Sequence, residues 1–291
     1  MPEIITSPSN PKIKRLLALQ QKSSARREAG LFVVEGQREL QHCIDSGFEV
    51  DSIFYCPSRC GGLPCKTVAT RGFVNGGDPL RSSGGDERSE VLQGSASANA
   101  KVFEVSGEVY AKIAMRESTE GVIAEVRAKE RKLEELDLPE RPLVVVLESV
   151  EKPGNLGAVL RSADAAGVDA VLFCDPLTDL WNPNLIRASI GAVFTVPCVA
   201  CSSAEAIAFL KARGIRILTA QLQDSSLYYD CDMTVGTALV MGTEATGLTD
   251  AWRQAADAHV RIPMLGRLDS LNVSVSAAIL LFEAVRQRQN G

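Results

Sequence analysis

From residue 142 onward, short apolar runs alternate with amphipathic ones, and no feature of the chain narrows its fold more. The runs at 143–149, 170–174, 193–199, 215–221, 237–242 and 259–263 have the length and β-branched content of buried strands. Between and after them, 155–166, 183–191, 203–213, 250–256 and 272–288 carry helical spacing. Strands alternating with helices build a mostly parallel sheet covered on both faces, an α/β fold. Ligands of such sheets sit beyond the carboxyl ends of the strands, so the loops that follow the strands are where chemistry is expected.

The preceding part is a smaller α/β unit, residues 1–127. A helix is expected over 11–22, where Ile13, Leu16, Leu17 and Leu19 recur among basic residues. LFVVEG (31–36) reads as a strand ending at a glycine, RELQHCIDSG (38–47) as a helix, and VDSIFYC as a second strand. KVFEVS, GEVYAKIAM and GVIAEVRA complete the unit. Residues 57–100 differ: Gly, Ser, Pro, Arg and Asp dominate, so the segment buries too little apolar surface to order itself and predicts a mobile insertion. Residues 128–141, charged and punctuated by proline, suit a short helical linker, which leaves 142–291 as the second domain.

Composition excludes several classes. With 45% hydrophobic and 23% charged residues in 291, the chain is an ordinary globular one. No apolar window approaches the ~18 residues of a membrane span, and the N-terminus lacks the apolar centre of a signal peptide. A cytoplasmic protein without a membrane partner is expected. Eight cysteines include one C-x-x-C, Cys198 and Cys201, but there is no second pair, and His42 and His259 are the only histidines. A zinc site wants four such ligands at paired spacings, so plain thiols and no metal are expected. The net charge of −5 argues against a nucleic-acid partner. Its distribution argues otherwise: Lys12, Lys14, Arg15, Lys22, Arg26, Arg27 and Arg38 face only Glu3, Glu28 and Glu35 up to residue 38. That stretch is either a solvated helix face or an RNA-facing one.

Three loops stand out. In ESVEKPGNLGAVLRSADAAG, a helix is expected to open at Asn155 as N-cap, with Gly157 permitting close backbone approach and Arg161 four residues further on the same face. A helix start offers free N–H groups to an anion, and an arginine one turn inside suits a phosphodiester. Alone, this loop reads first as an ordinary capped helix. In TALVMGTEATGL, Gly242, Glu244 and Gly247 mimic a phosphate cradle, but Leu248 and Thr249 stand where a P-loop needs Lys and Ser/Thr. Glu244 also places a carboxylate where a polyphosphate would lie, so a neutral or cationic ligand fits better. In VRIPMLGRLDSLNVSVSAAILLFEAV, the alternating Asn272, Ser274 and Ser276 read as a strand or as the start of a last helix. The helix formers that follow without a turn signal favour the helix.

In this order the three segments resemble the SpoU (TrmH) family of RNA ribose 2′-O-methyltransferases, of the SPOUT superfamily. N-x-G-x-x-x-R stands as Asn155, Gly157 and Arg161; G-x-E-x-x-G-L stands as Gly242, Glu244, Gly247 and Leu248. I-P-M and L-N-V-S-V-S stand as Ile262, Pro263, Met264 and Leu271 to Ser276. More loosely, FVVEG with RELQ resembles the substrate-binding domain that many members place first.

The resemblance implies a deep trefoil knot in the C-terminal domain, a homodimer, and S-adenosylmethionine held largely by backbone at Gly242, Ile262 and Leu271, with Met264 and Asn272 beside them. It implies a central role for Arg161. A guanidinium is a poor base, so a phosphate clamp that also stabilises the developing alkoxide is the preferred role. Asn155 and Glu244 would orient Arg161 or the substrate, while Asn272 and Ser274 would hold the ribose. The substrate would be structured RNA, ribosomal ahead of transfer RNA, reached through Lys12, Lys14, Arg15, Arg26, Arg27 and Arg38. Two rivals are a doubly wound nucleotide-binding enzyme, which Glu244 and the missing G-x-G-x-x-G disfavour, and a non-catalytic RNA-binding protein of the same fold.

Overall fold

A computed structural model describes residues 2–60, 100–116, 120–243, 246–268 and 270–290. Most of the expected insertion, residues 61–99, lies outside them. The chain divides into two compact units, Met1–Lys129 with Trp181–Pro183, and Glu130–Leu180 with Asn184–Gly291.

The first unit holds β1 (Glu3–Ile5), α1 (Pro11–Gln21), α2 (Ser23–Ala29), β2 (Leu31–Glu35), α3 (Gln37–Asp45), β3 (Val50–Tyr55), β4 (Lys101–Val105), α4 (Gly107–Ile113) and β5 (Val122–Arg127). Asn10 starts α1 by accepting the Lys12 N–H at 2.9 Å, with Pro11 preset for the first turn. The sheet runs β1-β4-β3-β5-β2. β5 is antiparallel to both neighbours, and the other pairs are parallel. Ile13, Leu16 and Leu19, spaced for one helix face, join Leu31, Val33 and Phe54 in its core.

The second unit holds β6 (Leu143–Glu148), α5 (Pro153–Ala165), β7 (Ala170–Cys174), α6 (Pro183–Ser189), α7 (Ala192–Thr195), β8 (Cys198–Cys201), α8 (Ser203–Ala212), β9 (Arg216–Ala220), β10 (Ser226–Leu227), β11 (Thr237–Met241), α9 (Asp250–Ala255), β12 (Ala258–Arg261) and α10 (Val273–Asn290). Seven strands in the order β10-β12-β9-β11-β6-β7-β8 pair in parallel throughout. Every residue of β6, β7 and β11 is buried, as a sheet covered on both faces requires.

Three expectations are corrected. Residues 193–199 are not one strand: Ala192–Thr195 are helical and the strand begins at Cys198. Gly191, at φ 85°, starts that turn and Pro197 ends it, overriding the β-branched composition. The helical linker is a single 3-10 turn at Leu133–Glu135, and Leu133 and Leu136 are buried in the core of the second unit. Helix α5 starts at Pro153 rather than Asn155, so Asn155 sits inside its first turn and Lys152 is the N-cap residue. The proline preset for a first turn was the overlooked signal.

Candidate functional site

Because all seven strands are parallel, the loops after β6, β11 and β12 leave the same edge of the sheet, from strands ordered β12-β9-β11-β6. The three sequence motifs occupy these loops. The first and third touch: Asn272 Nδ2 donates to Asn155 Oδ1 at 3.2 Å. Asn272 also starts α10, its Oδ1 accepting the Ser274 N–H at 3.0 Å and the Ser274 hydroxyl at 2.6 Å. Its carbonyl accepts from the N–H groups of Val275 and Ser276. The polar alternation of LNVSVS is therefore a helix start, and α10 packs along α5.

Both motif glycines are demanded by packing. A Cβ on Gly157 would lie 2.4 Å from Ala188 Cβ, so α5 and α6 approach only because Gly157 has none. A Cβ on Gly242 would lie 2.3 Å from the Gly247 carbonyl oxygen. That closure is a two-residue bridge between Thr243 and Gly247, with Gly247 at φ +68° and its N–H donating to the Thr243 carbonyl at 3.0 Å. Gly242 and Thr243 thus close against Gly247 and Leu248. Glu244, expected between them, lies outside the described residues.

Arg161 is exposed on α5 and makes no hydrogen bond or ion pair among the described residues. Among the described residues no carboxylate neutralises its guanidinium, which suits an external anion. Ile262 and Met264 are half-buried and Leu271 is 36% exposed. This edge offers apolar side chains and loop backbone, with few charged anchors. Such a donor set fits a ligand like S-adenosylmethionine, recognised through its neutral adenosyl part.

In the first unit the structure thins the expected RNA-facing cations. Arg26 is a correction: it is 5% exposed and donates to the Leu19 carbonyl at 2.6 Å and that of Gln20 at 3.3 Å, so it fastens α2 to α1 rather than facing a ligand. Lys12 pairs with Glu3 at 2.8 Å and lies over the Phe103 ring. Arg15 pairs with Glu125 and Asp51. Lys14, Arg27 and Arg38 are exposed and make no hydrogen bond or ion pair among the described residues.

Sequence reasoning missed Glu148, the last residue of β6. It is 3% exposed and accepts the Thr249 N–H at 2.9 Å and the Thr249 hydroxyl at 2.7 Å. A glutamate closing an otherwise apolar strand was the available signal. Among the described residues no group of three or more His, Cys, Asp or Glu could hold a metal, and no helix is long and apolar enough to cross a membrane.

Comparison with known proteins matches the same segments. Residues 142–282 fit the SpoU rRNA Methylase family and residues 10–124 an MRM3-like substrate binding domain. A 23S rRNA (guanosine-2'-O-)-methyltransferase, RlmB, of Bordetella pertussis is 37% identical over 218 residues, covering 72% of this chain and 88% of the relative. A solved RNA 2'-O ribose methyltransferase is 36% identical with TM-score 0.76, covering 98% of this chain and 99% of that one. An AdoMet-bound rRNA methyltransferase from Sinorhizobium meliloti is 27% identical with TM-score 0.81, covering 98% and 97%. With its motif loops gathered at one sheet edge and these relatives matched over nearly their whole length, the chain belongs to the SpoU rRNA methylase family.

Proposed function

We infer that the chain transfers a methyl group from S-adenosylmethionine to a ribose 2′-hydroxyl of structured RNA, ribosomal rather than transfer RNA. The observation that carries this reading is the meeting of the first and third loops through Asn155 and Asn272, with Arg161 further along the helix of Asn155 and unpaired among the described residues.

S-adenosylmethionine supplies a methyl group on a sulfonium, so the chain's task is to align the attacking hydroxyl and ease loss of its proton. Arg161 clamps the neighbouring phosphate and stabilises the developing alkoxide. Asn155 and Asn272 fix the two loops against each other, and Ser274 holds the Asn272 amide in place. Glu244 orients Arg161 or the substrate. Backbone at Gly242, Ile262 and Leu271, with Met264 and Asn272, holds the cofactor. The first unit grips RNA through Lys14, Arg27 and Arg38, with Lys12 and Arg15 secondary because their charges are already paired.

Three further features belong to this reading. The C-terminal unit, residues 142–291, forms a deep trefoil knot preceded by the RNA-binding unit, residues 1–127. The protein works as a cytoplasmic homodimer. Val275 and Phe282, seven residues apart on one face of α10 and 46% and 49% exposed, support the dimer as an apolar stripe left uncovered in one copy.

Mapping 2′-O-methylation across total RNA with and without the protein tests the reaction, with one or a few ribosomal positions expected to change. No change at any position would overturn it. Calorimetry should show S-adenosylmethionine binding where NAD and ATP do not.

A further inference from the structure

An ionised carboxylate is costly inside a sheet unless its lone pairs are filled. Glu148 is filled without a cation: among the described residues no lysine, arginine or histidine pairs with it. Two of its three bonds come from Thr249, the residue that follows the second loop. The third, from the Ser203 hydroxyl, is long at 3.3 Å. That hydroxyl has one proton and gives it to Asp175 at 2.6 Å, while accepting the Trp252 indole N–H at 2.9 Å. Thr249 is therefore the principal partner of Glu148.

A second observation points the same way. Thr249 occupies the N-cap position of α9, where a threonine side chain ordinarily accepts from the first helical turn. It makes no such bond. Its hydroxyl is turned to Glu148 instead, so the helix forgoes a cap and the loop gains an anchor. β11 and β6 are neighbours, with Met241 opposite Leu147. The chain thus leaves one strand at Gly242, returns against it at Gly247, and is tied at Thr249 to the end of the adjacent strand.

We propose that Glu148 is a positioning residue for cofactor binding: by holding Thr249, its buried carboxylate sets where Gly247 and Leu248 lie against Gly242 and so fixes the Gly242 backbone that meets S-adenosylmethionine. This rests on the reading of that loop as cofactor-holding. It also explains why the anchor is an acid: one carboxylate accepts both the N–H and the O–H of Thr249, while an amide keeps one acceptor oxygen and an apolar residue none.

The test compares Glu148→Gln and Glu148→Leu in the full-length protein. Amide exchange over 242–249 is measured without ligand, S-adenosylmethionine affinity by calorimetry, and KM for RNA by turnover. Glu148→Gln should speed exchange and weaken the cofactor by about tenfold, the scale of one missing bond to a charged group. Glu148→Leu should do more, and KM for RNA should stay put in both. If Glu148 only filled space, leucine would suit the buried strand better than glutamine, and equal or tighter cofactor binding by Glu148→Leu would overturn the proposal. Unchanged exchange in both variants would overturn it too. Faster exchange with unchanged affinity would uphold the anchoring and instead remove the loop from the cofactor site. Should Glu148→Leu fail to fold, Thr249→Val takes its place, removing one of the two bonds and predicting a smaller effect of the same sign.

Discussion

Each unit buries one glutamate on an interior strand, and the two are satisfied by opposite means. Glu125 in β5, fully buried, meets the Arg15 guanidinium and accepts the Ser52 hydroxyl at 2.7 Å. Glu148 in β6 accepts only neutral donors. The first arrangement fastens a helix to a sheet and consumes a cation. The second fastens a loop and uses no cation among the described residues. Basic residues in α1 therefore overstate what that helix can offer RNA, whereas Arg161 in α5 is unpaired among the described residues. A buried acid with a cation is scaffold here, while the one with a loop's N–H and O–H is the one proposed to serve a site.

Arg161→Ala is the sharpest way to break that contrast. If the unpaired arginine belongs to the chemistry, methyl transfer should fall by about 10²–10³-fold, the scale of removing one transition-state donor. Cofactor affinity measured by calorimetry should hardly move. A variant retaining full turnover would return Arg161 to the ordinary surface.

Next in size is the triple variant Lys14→Ala, Arg27→Ala, Arg38→Ala. RNA affinity should fall by roughly 10–100-fold, and the log–log salt slope should shrink by up to about three, near one for each phosphate no longer neutralised. Lys12→Ala should change the slope much less, since its ammonium already faces Glu3. Equal effects would mean that internal pairing does not decide which cations RNA can use.

How much of this could be read beforehand follows the same division. The second unit was legible because a parallel sheet buried on both faces writes itself as apolar runs such as LVVVLE, and its motif loops follow those runs directly. Its misreadings were local: 193–196, with β-branched Val193, Thr195 and Val196, looked like strand until Gly191 and Pro197 bent the chain. The first unit was legible in outline, but β1, with two of its three residues exposed, carries no periodicity. The pairing of Arg15 with Glu125 joins residues 110 positions apart. Glu148 stood out as an acid closing an apolar run, but its partner did not, since Thr249 lies 101 residues away. Sequence showed which side chains could act, and only the fold showed which were already occupied.

Arg15→Ala probes that occupation as stability. It strands a buried carboxylate, but Arg15 itself is 45% exposed, so water screens the pair and softens the cost. A loss of about 1–2 kcal/mol in chemical denaturation is expected. RNA affinity at moderate salt should change less than in the triple variant.

The smallest effect is the most specific. Burial pushes the Glu125 carboxyl above the usual range, and the hydrogen bonds from Ser52 and Arg15 only partly offset it. The native state then holds that proton more tightly than the unfolded chain does. Its contribution to stability is full below the unfolded value of 4.5 and is lost as pH rises through the higher native value. Other carboxylates such as Glu283, held low by its bond from Arg286, act in the opposite sense, so the whole-protein curve hides this contribution. Glu125→Gln keeps a bond to Ser52 and cannot ionise. Subtracting its urea-unfolding free energies from those of the parent, from about pH 4 to about pH 7, should leave a curve that falls with pH by at most about 1.4 kcal/mol per unit. A flat or rising difference would mean that Arg15 fully compensates the burial, and that the two buried glutamates differ less than their partners suggest.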